Sequence, residues 1–339
     1  QWLELTLRGF DFEEKRVKQE IAKRSAKRVL LQLPEGFKPE GPRLADIVEK
    51  TGALPIISAD PCYGACDIAM DAAESLGADL IVHFGHSKFL VHGRVPTICI
   101  EASSTVRVNK AVEKALPLLS KFARIGLATS VQHLEELNQA REILTKAGKI
   151  VVVGDGGHMI YPGQVLGCNY SNVKSIATEV DAFLFIGGGL FHALGIALNT
   201  SKPTVIADPY DNRAFSIDKE AQKIIKQRWA SIEEARKART FGILIGLKPG
   251  QKKIDQALKI KELAQKHGVA AFLLAAKEIT PEIFLEFPSI DAYVNTACPR
   301  ISLDAPGKFS KPMLTINEFI VAVGESSWEN MLKKGLFES

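Results

Sequence analysis

Five cysteines are spread through a chain of 339 residues, and three of them fall where a thiolate could do chemistry. Cys66 lies in Asp60-Pro61-Cys62-Tyr63-Gly64-Ala65-Cys66-Asp67, between a strand-like run at 54–58 and a helix-like run at 68–76. Cys168 follows Gly163-Gln164-Val165-Leu166-Gly167, and Cys298 follows the apolar Ala292-Tyr293-Val294-Asn295. One cysteine in each third of the chain, each just past a strand, points to three loops that converge on a shared metal. The three are too far apart in sequence for a short zinc or ferredoxin pattern. Thiolate-rich donor sets favour zinc or iron–sulfur. Three thiolates leave one coordination position without a protein ligand, and a 4Fe–4S cluster held this way exposes one iron to substrate. A three-cysteine zinc site completed by His86 or His133 is the alternative. Cys99, inside an apolar strand, reads as a core residue. Cys62, so close to Cys66, is either a second thiol for the same loop or a bystander.

Loops of this kind need rigid edges, and the sequence supplies them in a repeated order. Strand-like runs at 28–33, 54–58, 79–84 and 96–100 alternate with helical stretches at 39–51 and 67–76, stopped by Gly52 and Gly77. The order restarts with strands at 124–129, 150–153, 182–186 and 203–207. Helices are expected at 134–147, closed by Gly148, and from the Cys168 turn to Val180. A polar, helix-prone connector at 211–239 precedes a third cycle, with strands at 241–245, 270–275, 291–295 and 312–316 and a helix at 253–266. Repetition at such long spacing indicates repeated domains, not the short units of a solenoid. The expected fold is α/β: three repeated small domains, each a mostly parallel four-stranded sheet with flanking helices, around a central cluster site. The expected boundaries are 1–105 and 106–210 for the first two domains, and 211–339 for the connector with the third. Ligands in such folds gather beyond the carboxyl ends of the strands, where the cysteines lie. Gln132, His133 and Gly188 occupy comparable strand exits and are candidate substrate contacts. No catalytic side chain is assigned.

Composition bounds the function. Hydrophobic residues make up 46% and charged residues 24%, an ordinary globular balance. The net charge of +4 comes from Lys and Arg interleaved with Glu on helix faces, so no nucleic-acid surface is expected. No apolar run is long enough for a membrane span, and the opening residues carry no secretory pattern. An odd number of cysteines in a large chain suits metal or catalytic thiols in a reducing cytoplasm better than a disulfide framework. Neither a dinucleotide fingerprint nor a phosphate-binding P-loop is present.

Seven stretches together resemble the diphthamide-synthesis family, the 2-(3-amino-3-carboxypropyl)histidine synthases, in their single-polypeptide archaeal form. They are Tyr63-Gly64-Ala65-Cys66-Asp67, Gln132-His133, Tyr161-Pro162-Gly163-Gln164-Val165-Leu166-Gly167-Cys168-Asn169-Tyr170, Phe185-Ile186-Gly187-Gly188-Gly189, Asp208-Pro209-Tyr210, Arg228-Trp229-Ala230 and Ala297-Cys298-Pro299-Arg300. The resemblance implies a 4Fe–4S cluster on Cys66, Cys168 and Cys298, S-adenosylmethionine as co-substrate, a homodimer, an electron donor, and elongation factor 2 as protein substrate. It further implies radical cleavage of the Cγ–S bond of S-adenosylmethionine and transfer of the 3-amino-3-carboxypropyl group to C2 of a histidine imidazole. The CxxxCxxC run usual in radical S-adenosylmethionine enzymes is absent. Two other readings remain. One is quinolinate-synthase-like chemistry, in which an open iron of the cluster is a dehydrating Lewis acid, although the 161–170 block argues against it. The other is a non-enzymatic scaffold tied together by zinc.

Overall fold

Three runs of strands build three larger sheets, beside a two-stranded one that pairs Phe10–Asp11 with Ser103–Ser104, in the protein, a computed structural model that describes residues 9–88, 93–155, 159–303 and 309–336. The first eight residues and residues 156–158, in the glycine-rich stretch Gly154-Asp155-Gly156-Gly157 and just after it, therefore lie outside the described residues. Packing divides the chain into two units. One holds Gln1–Arg107 with Val131–Glu136 and Lys248–Gly250; the other holds the rest.

In the first unit the strands Leu54–Ile57, Arg28–Gln32, Leu80–Phe84 and Thr97–Ile100 lie side by side in that order, all parallel. Successive side chains of a strand point to opposite faces, so an all-apolar strand must be covered on both. Val29 and Leu31 pack with Val17 and Ile21 from the helix Glu14–Arg24 and Leu44 and Val48 from the helix Gly41–Glu49. Leu30, between them, faces Ile68, Ala73 and Ile81 instead.

The second unit contains two sheets. Arg124–Thr129, Ile150–Val152, Ala182–Ile186 and Thr204–Asp208 are parallel, as expected, but Arg213–Ser216 adds a fifth, antiparallel edge strand. The start of the anticipated connector thus belongs to the second sheet. The remaining sheet runs Ala270–Ala276, Thr240–Gly246, Ala292–Asn295, Met313–Thr315, again all parallel. The rest of the connector is one helix, Asp218–Ala235, whose Ala221, Ile232 and Ala235 enter a core shared with Phe183 and Phe185 of one sheet and Phe241 and Ile243 of the other. The helix after Cys168 is shorter than its apolar pattern suggests, Ser171–Ser175.

The three larger sheets repeat one strand order: second, first, third, fourth. Each repeat also carries the same small device. Asp79, Asp181 and Asp291 each stand one residue before the third strand of their cycle and accept two backbone N–H groups at the start of the first. Asp79 Oδ2 takes Lys27 and Arg28 at 2.8 and 2.9 Å. Asp181 Oδ2 takes Ala123 and Arg124 at 3.0 and 2.8 Å, and Asp291 Oδ2 takes Arg239 and Thr240, both at 3.0 Å. Both N–H groups are thereby satisfied at the point where the paired strands begin. These donors hold the Asp79 and Asp181 carboxyls below the usual aspartate range.

Candidate functional site

The Cys66 turn leaves the strand Leu54–Ile57 and is fixed from three directions within the first unit. Internally, the Asp67 N–H donates to the Gly64 carbonyl at 2.9 Å. Below it, the buried amide of Gln32, at the end of its strand, donates to the Asp67 carbonyl at 2.6 Å and accepts from the Ala69 N–H at 3.0 Å. The segment Lys248–Gly250 closes the remaining side. Lys248 Nζ lies 3.0 Å from Asp67 Oδ2 and 4.1 Å from the centre of the Tyr63 ring, and the Gly250 N–H donates to the Cys66 carbonyl at 2.8 Å. A side chain on Gly250 would put its Cβ 2.5 Å from Cys66 Cβ, so only glycine allows this approach. Cys66 itself is half-buried.

Cys168 is exposed at the tip of a turn whose two sides are joined by the Leu166 N–H to the Asn169 carbonyl at 3.0 Å. The stretch before it extends the second sheet, because Val165 donates to Thr129 and Thr129 to Gly163, both at 2.9 Å. Asn172, fully buried, donates to the carbonyls of Tyr161 and Gln164 at 2.9 and 3.0 Å and fastens both ends of the loop. Glycines make the packing possible: a Cβ on Gly195 would sit 1.8 Å from the Tyr170 hydroxyl, and one on Gly167 would sit 2.5 Å from the Phe191 ring.

Cys298 precedes the short helix Pro299–Leu303. Asn295, the last residue of its strand, accepts from the Ala297 N–H at 2.9 Å and donates to the Cys298 carbonyl at 2.5 Å and to Ser302 Oγ at 3.2 Å. Arg300, in that helix, stacks its guanidinium 3.6 Å from the centre of the Phe191 ring. Phe191 therefore meets both the Gly167 backbone beside Cys168 and the Arg300 side chain beside Cys298. One aromatic ring ties together the two cysteine turns of the second unit. The three turns are not copies of one position. Cys66 and Cys168 come after the second strand of their cycles, and Cys298 comes after the third.

The other sequence candidates are placed as follows. Gln132 spends its amide on the carbonyls of Gly85 and Glu101, at 2.7 and 3.2 Å, which binds the segment Val131–Glu136 to the first sheet. His133 is buried in the same segment. Gly188 packs against Tyr210, whose ring would lie 3.0 Å from a Cβ there, and the Tyr210 N–H is held by Asp208 Oδ1 at 3.0 Å. The glycine triplet and Asp208-Pro209-Tyr210 are thus one local structure. Arg228, singled out in the sequence with Trp229 and Ala230, is a buried structural cation. Its guanidinium meets both carboxylate oxygens of Glu318 at 2.7 and 2.6 Å and the carbonyls of Ser302 and Met313 at 2.8 and 2.6 Å.

Sequence reasoning missed Lys248, Gly250, Phe191 and Gln32. Lys248-Pro249-Gly250 does carry a turn signal, and Gln32 is a polar residue ending an apolar strand; nothing local links either to Cys66. A further cluster was also missed. Cys62 Sγ and ring nitrogens of His83 and His86 lie within 4.8 Å of one another. Burial pushes the Cys62 thiol up to about 12 and holds the imidazoles of His83 and His86 down at about 3 and about 4, so at neutral pH all three are uncharged.

Mostly parallel sheets flanked by helices, with cysteine-bearing turns at their strand exits, define an α/β protein. Residues 33–333 match the model of the diphthamide synthesis protein family, and the chain belongs to that family. It is 39% identical over 309 residues to the 2-(3-amino-3-carboxypropyl)histidine synthase of Pyrococcus horikoshii, covering 90% of this chain and 88% of that one. It is 30% identical to subunit 1 of the same synthase from Schizosaccharomyces pombe, over 97% of this chain and 77% of the relative. The crystal structure of Dph2 from Pyrococcus horikoshii with a 4Fe-4S cluster superposes with a TM-score of 0.86 at 35% identity, covering 94% of this chain and 92% of that one. Among the described residues no helix is long and apolar enough to cross a membrane.

Proposed function

We propose that this protein is a 2-(3-amino-3-carboxypropyl)histidine synthase. It transfers the 3-amino-3-carboxypropyl group of S-adenosylmethionine to C2 of a histidine imidazole on elongation factor 2, the first step of diphthamide synthesis. Cys66, Cys168 and Cys298 are the thiolates that hold its 4Fe–4S cluster. The observation that carries this reading is the way the three turns are built: in each, the cysteine lies at a strand exit, and the backbone around it is fastened by side chains that are not themselves ligands. Gln32, Lys248 and Gly250 do this for Cys66, Asn172 for Cys168, and Asn295 for Cys298. Such support holds a donor set in place before the group arrives. Three thiolates suit a cluster that keeps one iron open.

When bound, the cluster supplies the electron that breaks the Cγ–S bond of the sulfonium, with methylthioadenosine as the leaving product. The chain's own residues position and shield. Phe191 and Arg300 hold the Cys168 and Cys298 turns to each other, and the Lys248–Asp67 pair, nearly excluded from water, holds the Cys66 turn shut. Correct placement of the sulfonium against the open iron is the main service such a site provides. The enzyme works as a homodimer with an external electron donor in the cytoplasm, without nucleic acid or membrane.

The test is anaerobic reconstitution with iron and sulfide, reduction, and addition of S-adenosylmethionine with elongation factor 2. Methylthioadenosine and a histidine adduct are expected by mass spectrometry, and both are lost in Cys66→Ala, Cys168→Ala and Cys298→Ala. Release of 5′-deoxyadenosine, or turnover that survives those three substitutions, would overturn the proposal.

A further inference from the structure

Cys62, His83 and His86 have no part in the chemistry above, yet they converge inside the first unit. His83 is fully buried near the carboxyl end of the strand Leu80–Phe84, and His86 follows two residues after that strand ends. Cys62 is buried in the loop that leads to Cys66. Their ligating atoms all fall within 4.8 Å of one another, a spread that a single cation can span.

The arrangement around His83 determines which of its nitrogens faces His86. Gln32 Oε1 lies 2.9 Å from His83 Nδ1. The same oxygen accepts the Ala69 N–H at 3.0 Å, and Gln32 Nε2 donates to the Asp67 carbonyl, so the orientation of the amide is fixed. An amide oxygen can only accept, so Nδ1 of His83 carries the hydrogen and Nε2 carries the lone pair. That Nε2 points at His86 Nδ1, 3.0 Å away. An imidazole whose far nitrogen donates to a fixed oxygen while its near nitrogen faces a second imidazole, with a thiol close by, is the support pattern of a metal-ligating histidine. A buried histidine and a buried cysteine beside a half-buried histidine are also a costly choice for a core, where aliphatic side chains would pack without polar atoms to satisfy.

We propose that Cys62, His83 and His86 form a binding site for a borderline divalent cation such as Zn²⁺, separate from the three cysteines assigned to the cluster. One thiolate and two imidazoles make three ligands with a fourth position left over, a donor set that selects zinc or cobalt over calcium or magnesium. Binding replaces the His83–His86 contact with two metal–nitrogen bonds. It converts the Cys62 thiol to a thiolate, and the thiol proton passes to solvent. The cation links the Cys66 loop to the end of the strand Leu80–Phe84, and it occupies the one extra thiol that stands close enough in sequence to compete with Cys66 for iron. The site does not depend on the cluster assignment.

The experiment uses Co²⁺ as the probe, on the 339-residue chain carrying Cys66→Ser, Cys168→Ser and Cys298→Ser, so that those thiols cannot bind it. One equivalent of Co²⁺ is expected to produce a thiolate-to-cobalt charge-transfer band and the visible bands of a tetrahedral ion. Adding Cys62→Ser should abolish the charge-transfer band, and His86→Ala should weaken Co²⁺ binding by about tenfold or more. In parallel, the wild-type chain, reconstituted with iron and supplied with Zn²⁺, should retain one zinc per chain after desalting, and Cys62→Ser should retain none. Absence of a thiolate band, a band that persists unchanged in Cys62→Ser, or equal zinc in both reconstituted proteins would overturn the proposal.

Discussion

Removal of Arg228 should destabilise the second unit more than loss of any exposed charge. Arg228 and Glu318 are 1% and 0% exposed and meet through two charge-assisted hydrogen bonds. Glu318 also closes a capping box: its carboxylate accepts the Thr315 N–H at 2.8 Å, and its own N–H donates to Thr315 Oγ1 at 3.3 Å. Arg228→Met leaves a buried carboxylate without its cation, a loss of about 3–5 kcal/mol. The carbonyls of Ser302 and Met313 lose their donor as well, at about 1–3 kcal/mol for each that water cannot reach. Glu318→Leu strands the guanidinium in the same way. The pair of substitutions removes both charges, so the double variant should be less destabilised than the sum of the singles, by about 2 kcal/mol or more. It should not recover fully, because the two carbonyls stay unpaired. Trp229 adjoins Arg228 and lies with its ring 5.1 Å from that of Trp328, so urea unfolding followed by tryptophan fluorescence in a Trp2→Phe background reports on this unit. High salt should leave the coupling intact, since a pair this deeply buried is poorly screened. Additive single-variant losses, or a loss below about 1 kcal/mol for Arg228→Met, would refute the assignment of Arg228 as the buried structural cation.

Gly250→Ala should displace the Cys66 turn, because the new Cβ would lie 2.5 Å from Cys66 Cβ and 2.7 Å from its Cα; Gly36→Ala, with nothing within 4 Å, is the control. The expected loss is about 1–3 kcal/mol with a lower iron-to-protein ratio after reconstitution, and equal behaviour of the two variants would count against the clamp. Gly195→Ala sets two effects against each other. Alanine favours the helix Phe191–Thr200 by about 1 kcal/mol, but its Cβ would lie 1.8 Å from the Tyr170 hydroxyl, so a lower melting temperature is expected and a higher one would refute the close packing. The Asp79 and Asp181 carboxyls titrate below their unfolded-state value, so their stabilisation is present above about pH 4 and fades as pH falls through the folded pKa. Asp79→Asn should therefore lower the urea midpoint at neutral pH and converge on the wild type in acid; a deficit independent of pH would point away from charge.

The repeat was legible because it is written in local patterns: a continuous apolar strand, a helix of helical period, a glycine stop. Boundaries were less so. Arg213–Ser216 was missed because it is short, with a polar residue at each end; the turn residues before it mark a reversal, but nothing local shows that the chain then pairs back on Thr204–Asp208. The helix after Cys168 ends early because Asn172 turns its side chain back to the loop carbonyls and Ser175 bonds the Asn172 carbonyl at 2.7 Å. Short polar side chains that satisfy nearby backbone groups compete with helix propagation, and sequence period does not reveal when they win.

That three cysteines stand just past strands was readable from the sequence, whereas the side chains that fasten their turns were not, for a physical reason. A ligand must be a particular element, so chemistry restricts it to a few residue types. A support needs only to supply a donor, an acceptor or empty space at one point. Gln32, Asn172 and Asn295 are three polar residues among many, and Gly250 is one glycine among 26. What distinguishes them is arrival from elsewhere in the chain: Lys248 reaches Asp67 across 181 residues, and Arg300 stacks on Phe191 from the other sheet of its unit. The same asymmetry applies to His83 and His86. Each is unremarkable alone, one in an apolar strand and one in the loop after it, and only the fold shows that Gln32 fixes the tautomer of His83 toward His86, with Cys62 close by. Gln32 thereby joins two sites, holding the Cys66 turn with its nitrogen and orienting His83 with its oxygen. A substitution there should disturb both, whereas Cys62→Ser should disturb only the cation site.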